Sequence, residues 1–264
     1  MPQYVVVTRD RHSAKRWRGA DRFSFAAGDA LVPAIGAELS KLAPVAPLAF
    51  VEQAGQFELA AVLSLTPGKN MFVGPDGRWL ANYVPALYRA YPFRLEIRSG
   101  SDEATLCVDE DSGLIVDEGA GGEAFFEANG AVAPALKSTL GFLTEVERAL
   151  KATRRAVSAL AEAGVIQPWP ITLKTAAGDQ AIGGLHRIDE AALNALDEAA
   201  FLRLRAASAL PVAYAQLMSM GQLDVFAQLA RVQAQLAPPP VATLPESLDS
   251  IFGLLSKDAV VRFD

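Results

Sequence analysis

Residues 77–95 read GRWLANYVPALYRAYPFRL, and they contain the change from turn to helix to strand that decides the fold. Pro85 suits the first turn of a short helix, and Pro92 requires that helix to end by Tyr91. From 93 to 98, apolar residues alternate with charged ones, which is typical of a strand with one buried face. The stretch therefore predicts a short helix followed directly by a strand.

Short strands separated by turns are predicted on both sides of this stretch. Two apolar runs within 45–64 flank Gln53-Ala54-Gly55-Gln56, a loop that suits a β-hairpin. Further short strands are predicted over 71–73, Leu106–Asp109 and Leu114–Val116. We therefore expect a mostly antiparallel sheet in the N-terminal half of the chain, ending near Val116.

One long helix is predicted from Pro134 to Ala163. Leucine and valine recur there at three- to four-residue spacing, and Gly164 is placed to end the helix. Because this apolar stripe needs an apolar surface to cover, we expect the helix to pack on the sheet. Strands first and helices later favour an α+β fold over a doubly wound parallel sheet.

Smaller elements are predicted after the long helix. A second hairpin is expected around 177–179, and Asp189 is placed to cap the helix that follows it. Further helices are expected over Phe201–Ala207 and within Pro211–Leu236. We treat 1–236 as a single domain, because no internal repeat or linker divides it.

The C-terminal tail, 237–264, differs from the domain before it. Pro238-Pro239-Pro240 forms a stiff spacer that prevents the preceding helix from continuing. Five apolar residues follow the spacer, namely Leu248, Ile251, Phe252, Leu254 and Leu255. Since such residues favour burial, we expect the tail to dock, first on its own domain and alternatively on another copy or on a partner protein.

Composition excludes several classes of protein. The 264 residues contain 24 basic and 30 acidic side chains, a formal charge of −6, which disfavours binding to nucleic acid. A basic cluster within 9–22 is an anion patch or, more simply, a solvated loop. No apolar run reaches membrane-spanning length and no signal segment is recognisable, so a cytoplasmic location is expected. Cys107 is the single cysteine, in a strand pattern typical of a buried thiol.

No motif in the chain specifies a reaction. The two histidines, His12 and His186, have no metal-ligand spacing, and structural histidines are the simpler interpretation. The acidic run Asp109–Gly113 departs from a calcium loop in the position of its glycine, and it reads as a turn between strands. We therefore expect no metal and no cofactor.

A recognisable pattern nevertheless runs through 77–95. Its positions are Trp79, Asn82, Tyr83, Pro85, Arg89, Tyr91, Pro92 and Phe93. In this spacing they resemble the central signature of the bacterial SapC family. Similar segments lie at 70–73, 106–109, 184–193 and 214–219, so the resemblance covers almost the whole chain.

The resemblance implies a SapC-like domain without an agreed biochemical activity. Family members are often encoded beside flavin-dependent halogenase-like proteins and TonB-dependent receptors. The resemblance therefore implies an accessory role beside a halogenase-like protein or an uptake system, and it identifies no catalytic residue.

Seven residues are candidates for binding a ligand or a partner: His12, Trp79, Asn82, Tyr83, Arg89, Tyr91 and Arg94. Their rings and guanidinium groups suit a groove for a ligand carboxylate or a partner surface. A structural interpretation is favoured over this binding groove: the stretch forms a core junction in which Arg89 pairs with Glu38 or Glu96.

Three functions follow from these residues. The first is a non-catalytic binding or accessory protein, which binds a small ligand or a protein partner. The second is an enzyme of unknown reaction with a polar site near His12, Arg89 and Tyr91. The third is a surface-layer-associated protein, and homo-oligomerisation is open in each case.

Overall fold

Antiparallel sheets in the N-terminal half and helices in the C-terminal half, one of them long, confirm the α+β prediction. The structure is a computed structural model that describes residues 3–97, 104–175 and 178–236. The predicted docking tail, 237–264, lies outside the described residues.

The strands are β1 (Tyr4–Val6), β2 (Lys15–Trp17), β3 (Leu31–Pro33), β4 (Leu48–Gln53), β5 (Gln56–Val62), β6 (Phe93–Ile97), β7 (Ala104–Asp109), β8 (Ile115–Asp117), β9 (Glu123–Ala124), β10 (Ile166–Pro168), β11 (Ile171–Thr175), β12 (Gly178–Ile182) and β13 (Leu185–Ile188). The helices are α1 (Arg9–His12), α2 (Leu39–Leu42), α3 (Ala86–Arg89), α4 (Pro134–Glu162), α5 (Glu190–Asn194), α6 (Glu198–Ala206), α7 (Leu210–Ser219) and α8 (Val225–Leu236).

The largest sheet has the strand order β10-β13-β4-β5-β3, with every pairing antiparallel. Its centre is the predicted hairpin of β4 and β5, in which Gln53 pairs with Gln56 across a turn. Ala54 and Gly55 form that turn, both with positive φ. Two strands of this sheet, β10 and β13, come from the C-terminal half, so the prediction of a sheet ending near Val116 was incomplete.

Two three-stranded sheets and a hairpin complete the strand structure. One sheet has the order β1-β7-β6 and the other the order β8-β2-β9. The hairpin of β11 and β12 confirms the second predicted hairpin. By contrast, the strand predicted over 71–73 is reduced to one bridge between Val73 and Trp79, because the buried Asn70 side chain binds the Phe72 amide at 2.9 Å and holds this segment as a turn.

Helix α4 confirms the long-helix prediction and covers two apolar cores. Near its start, Leu136 and Leu143 pack in a cluster with Phe93 from β6. Near its end, Val157 and Leu160 pack in the main cluster below β4 and β5. Fully burying side chains of this size contributes about 1.5–3 kcal/mol each. The helix therefore joins the five-stranded sheet and the β1-β7-β6 sheet into one structure.

The C-terminal helices carry the caps that their sequence indicates. The Asp189 carboxylate accepts from the Ala192 amide at 3.1 Å, as predicted, and Asp197 caps α6 in the same way. The predicted helical region 211–236 is divided into α7 and α8 by a 3₁₀ turn over Met220–Asp224. Within the described residues, no helix has both the length and the apolar character needed to span a membrane.

Candidate functional site

The 79–93 segment is held in place by a layer of aromatic rings. The half-buried Trp79 ring contacts Phe23, Phe72 and Tyr88, with centroids 5.4–5.8 Å apart. Its indole N–H donates to the Tyr83 carbonyl at 2.7 Å. Aromatic pairs at these distances stabilise a fold beyond the area that they bury. Trp79 therefore belongs to the core junction that the sequence suggested first.

The same layer continues to Tyr91 through Phe25. The rings of Phe25 and Tyr91 stack with centroids 3.8 Å apart, and Tyr88 meets Phe25 edge-on. The Tyr88 hydroxyl donates to Asp29 at 2.8 Å, and burial together with this carboxylate raises the pKa of Tyr88. The Tyr91 hydroxyl donates to Asp109 at 2.8 Å, so it is engaged by the protein.

Glu38 is a buried carboxylate that ties three parts of the chain together. It is 3% exposed and accepts from the Ile35 amide at 3.2 Å, the Tyr83 hydroxyl at 2.9 Å and the Ala86 amide at 2.8 Å. Burial, followed by the charge of Glu38, raises the pKa of Tyr83 to about 12. Tyr83 therefore stays protonated at neutral pH and serves as a fixed donor to Glu38.

Arg89 is exposed, and its guanidinium lies between two rings. The guanidinium carbon is 5.0 Å from the centroid of Phe142 on α4 and 5.5 Å from that of Tyr83. One guanidinium nitrogen donates to the Tyr83 hydroxyl at 3.3 Å. The predicted ion pair with Glu38 or Glu96 is wrong: Tyr83 stands between Arg89 and Glu38, and Glu96 pairs with Arg94. Across 3–97, 104–175 and 178–236, no acidic side chain pairs with Arg89.

A groove of about 350 Å³ opens beside this guanidinium, and we name it the Arg89 groove. Its walls are the segment around Glu38, the start of α3 and the middle of α4. The lining combines charged or hydroxyl groups with small apolar side chains: Ile35, Ala37, Glu38, Lys41, Tyr83, Ala86, Arg89, Phe142, Glu145, Val146, Arg148, Ala149 and Ala152. Its volume suits a small organic ligand.

The charges of the groove are unevenly matched. Arg148 pairs with Glu145 one turn earlier on α4, and Glu38 is satisfied by its three donors. Lys41, at the end of α2, has no ion-pair partner among the described residues. Arg89 and Lys41 are thus two cations with free donors in a groove whose carboxylates are already occupied. The groove can therefore accept an anion.

The structure does not bring His12 to this groove. His12 is fully buried at the end of α1, and its ring lies 4.9 Å from that of Phe125 in the second core. Its Nδ1 accepts from the Thr8 amide at 3.2 Å, and its Nε2 lies 3.3 Å from the Glu110 carboxylate without hydrogen-bond geometry. His12 therefore acts as a core residue in this fold.

The other predicted residues lie in separate places. Tyr91 lines a smaller cleft of about 180 Å³, and Arg89 and Phe142 line both this cleft and the Arg89 groove. Arg94 lies over the Tyr4 ring at 3.6 Å on the β1-β7-β6 sheet, and Asn82 is exposed. Of the seven candidates, Tyr83 and Arg89 line the Arg89 groove. Lys41 and Phe142 were missed, because each is brought there by an element distant in sequence.

The basic cluster near the N-terminus is matched by acidic residues. Lys15 and Arg16 on β2 pair with Asp117, the last residue of β8, and with Glu118, which follows it, and Arg11 pairs with Glu110. Several of the positive charges are therefore paired, and the paired basic side chains remain partly exposed to solvent. In the described parts of the chain, no group of three or more metal-ligating side chains comes together.

Comparison with known proteins identifies a family. A family model described as SapC covers residues 7–225 of the chain, which confirms the resemblance drawn from the 77–95 signature. No curated protein and no solved structure matches. The matched residues include every side chain that lines the Arg89 groove.

Proposed function

The chain belongs to the SapC family, and from that premise we propose that it is a non-catalytic binding protein whose Arg89 groove takes a small ligand with one carboxylate and an apolar body. The observation that carries the proposal is Arg89 itself. Its guanidinium is fixed over Phe142 and Tyr83, has no acidic partner among the described residues, and lines the groove.

The chemistry of the ligand follows from the lining. A guanidinium recognises a carboxylate through two parallel hydrogen bonds, and Lys41 adds a second positive charge. The apolar side chains of Val146, Ala149 and Ala152 offer a wall for an uncharged chain or ring. A ligand with two negative charges fits the groove less well, because the Glu38 and Glu145 carboxylates also border it and would repel the second charge.

A non-catalytic role is favoured by what the groove lacks. Among the described residues that line the groove there is no histidine or cysteine. The Tyr83 hydroxyl has a raised pKa, so it is a poor base at neutral pH. The alternative enzyme relied on His12 together with Arg89 and Tyr91, and His12 lies in the core. Binding without turnover is therefore the simpler use of these residues.

As an accessory protein it would present its ligand to another protein. For that partner we propose the flavin-dependent halogenase-like protein or the TonB-dependent uptake system that the family resemblance implies. A cytoplasmic location stays a prediction, as does a surface-layer association, the third alternative.

The test is a nuclear magnetic resonance titration with fatty acids of four to ten carbons and with arylacetic acids, each compared with its own neutral amide. We expect saturable shifts at residues of the Arg89 groove for carboxylates, and at least about tenfold weaker binding of the amides. Arg89→Gln should weaken carboxylate binding by a similar factor. Arg94→Gln is the matched control, because Arg94 is also exposed and stacked on a tyrosine but lies outside the groove.

Two results would refute the proposal. One is equal binding of acids and amides, which would remove the role of the guanidinium. The other is an Arg89→Gln variant that binds carboxylates as the unchanged protein does.

A further inference from the structure

Helix α7 contains a family-like segment, 214–219, whose inward side chains fix the helix to the main sheet. The buried Gln216 amide accepts from the Ile188 N–H at 2.9 Å and donates to the Leu48 carbonyl at 3.2 Å. The Ser219 hydroxyl accepts from the Leu48 N–H at 2.9 Å. These bonds join α7 to β4 and β13, and they account for the buried face of the segment.

The outward side chains of the same helix have no such role. Tyr214 is 44% exposed and Met218 is 73% exposed, one turn apart on the same face. They border an apolar groove of about 500 Å³ between α7 and the region of α2, which we name the α7 groove. Its lining includes Leu39, Ala43, Pro44 and Pro211 and, within the described residues, no ionisable acid or base of the Asp, Glu, Lys or Arg type.

An exposed apolar groove of this size is typical of a docking site. A flexible, polarisable methionine at its edge is common where a protein binds an apolar helix face. The chain itself supplies such a face beyond the described residues. Leu248, Ile251, Phe252 and Leu255 follow one another at the spacing i, i+3, i+4 and i+7, which predicts one apolar side of a helix.

We propose that residues 248–255 of the same chain occupy the α7 groove as an amphipathic helix. The geometry permits it. Helix α8 ends at Leu236, and Gln222 at the edge of the groove lies fourteen residues earlier, about 21 Å away if all of them were helical. The twelve residues 237–248 reach up to about 40 Å when extended, so the tail is long enough to return.

The same chain is favoured over a second copy as the source of the helix. A tether of about twelve residues holds the tail near the groove at an effective concentration in the millimolar range. A second copy at micromolar concentration must in addition lose its free translation and rotation. The tail therefore fills the groove before another copy can.

The test is disulfide trapping in the full-length chain. Met218→Cys is combined in turn with Ile251→Cys and with Phe252→Cys, and the protein is oxidised at low micromolar concentration. Met218 is largely exposed, so its replacement leaves the core intact, and the native Cys107 is buried and stays in place. Lys137→Cys with the same tail cysteines is the control, because Lys137 is exposed but far from the α7 groove. On α4 it lies sixteen residues, about 24 Å, from Thr153, whose hydroxyl accepts from the amide of Gly36 in the groove lining.

We expect a disulfide within one chain between position 218 and the tail, formed at least about tenfold faster than in the control pair. Peptide mapping identifies the bond, and a non-reducing gel shows whether it lies within one chain. A cross-linked dimer would overturn the proposal in favour of a second copy. Trapping no faster than in the control would show that the tail does not occupy this groove.

Discussion

Removing the Glu38 carboxylate should destabilise the fold in proportion to the donors that it leaves without a partner. Three donors meet this buried side chain: the amides of Ile35 and Ala86 and the hydroxyl of Tyr83. The Tyr83 hydroxyl and the Ala86 amide share one oxygen, while the Ile35 amide binds the other. This division makes the two obvious substitutions differ.

In Glu38→Gln, the amide oxygen can keep the Tyr83 and Ala86 bonds, while its NH₂ group faces the Ile35 N–H as a second donor. One buried bond is lost, at a cost of about 1–3 kcal/mol. In Glu38→Ala, both buried amides lose their acceptor and the Tyr83 hydroxyl must find water. Summing the two amides with a smaller contribution from Tyr83 gives about 3–6 kcal/mol.

The assay is urea unfolding followed by circular dichroism, with the free energy of unfolding compared at equal m-values. Glu58→Gln is the control, because Glu58 pairs with Arg154 at the surface and should cost under about 1 kcal/mol. A loss below about 1 kcal/mol in Glu38→Ala would refute the reasoning, since it would mean that water replaces the carboxylate without penalty.

Three further predictions concern other parts of the fold. Trp79→Ala should lower the free energy of unfolding by about 2–4 kcal/mol, less than for a fully buried ring, and Trp79→Phe by clearly less, as measured by urea unfolding. Because the pKa of Tyr88 is raised in the folded state, the unfolded chain loses that proton first, and the free energy of unfolding should fall by up to about 1.4 kcal/mol per pH unit above about pH 10. In Tyr88→Phe the urea midpoint should fall less steeply between about pH 9 and 11, and a slope equal to that of the unchanged protein would contradict this. Gly122→Ala should destabilise the fold by about 1–3 kcal/mol, because Gly122 has φ +112° and an added Cβ would lie 2.7 Å from the Trp17 carbonyl oxygen. Gly141→Ala, in open space on α4, should instead stabilise the fold by about 0.5–1 kcal/mol, and equal melting temperatures for the two variants would be evidence against the backbone argument.

Most of the local structure could be predicted from the sequence, because local signals determine it. The hairpin of β4 and β5, the cap at Asp189 and the length of α4 each follow from spacing or from a turn residue. The partners of the strands could not be predicted in the same way. Nothing in the 185–188 segment indicates that it pairs with β4, since two apolar residues around a polar pair would suit many other strand pairings equally well.

The candidate site was predicted in part for a similar reason. Arg89 and Tyr83 lie within the family signature, so the sequence pointed to them directly. Phe142 lies beside them because of the way α4 is oriented about its axis, and Lys41 because of the way α2 packs. Neither arrangement is indicated by the sequence around these two residues. His12 was grouped with them because a histidine suggests chemistry, whereas its burial against Phe125 is a property of the fold.

The late arrival of β13 in the main sheet has a consequence for the growing chain. Val51 on β4 pairs with Leu185, so the ribosome must add roughly 130 residues before that pairing is available. At about 5–20 residues per second, the open side of β4 waits for roughly 7–26 s. During translation the unpaired edge of β4 beside Phe50 is a template for pairing with the wrong strand. Synonymous codons that slow synthesis between 53 and 185 should therefore lower the soluble yield of this protein more than the same delay placed after 188.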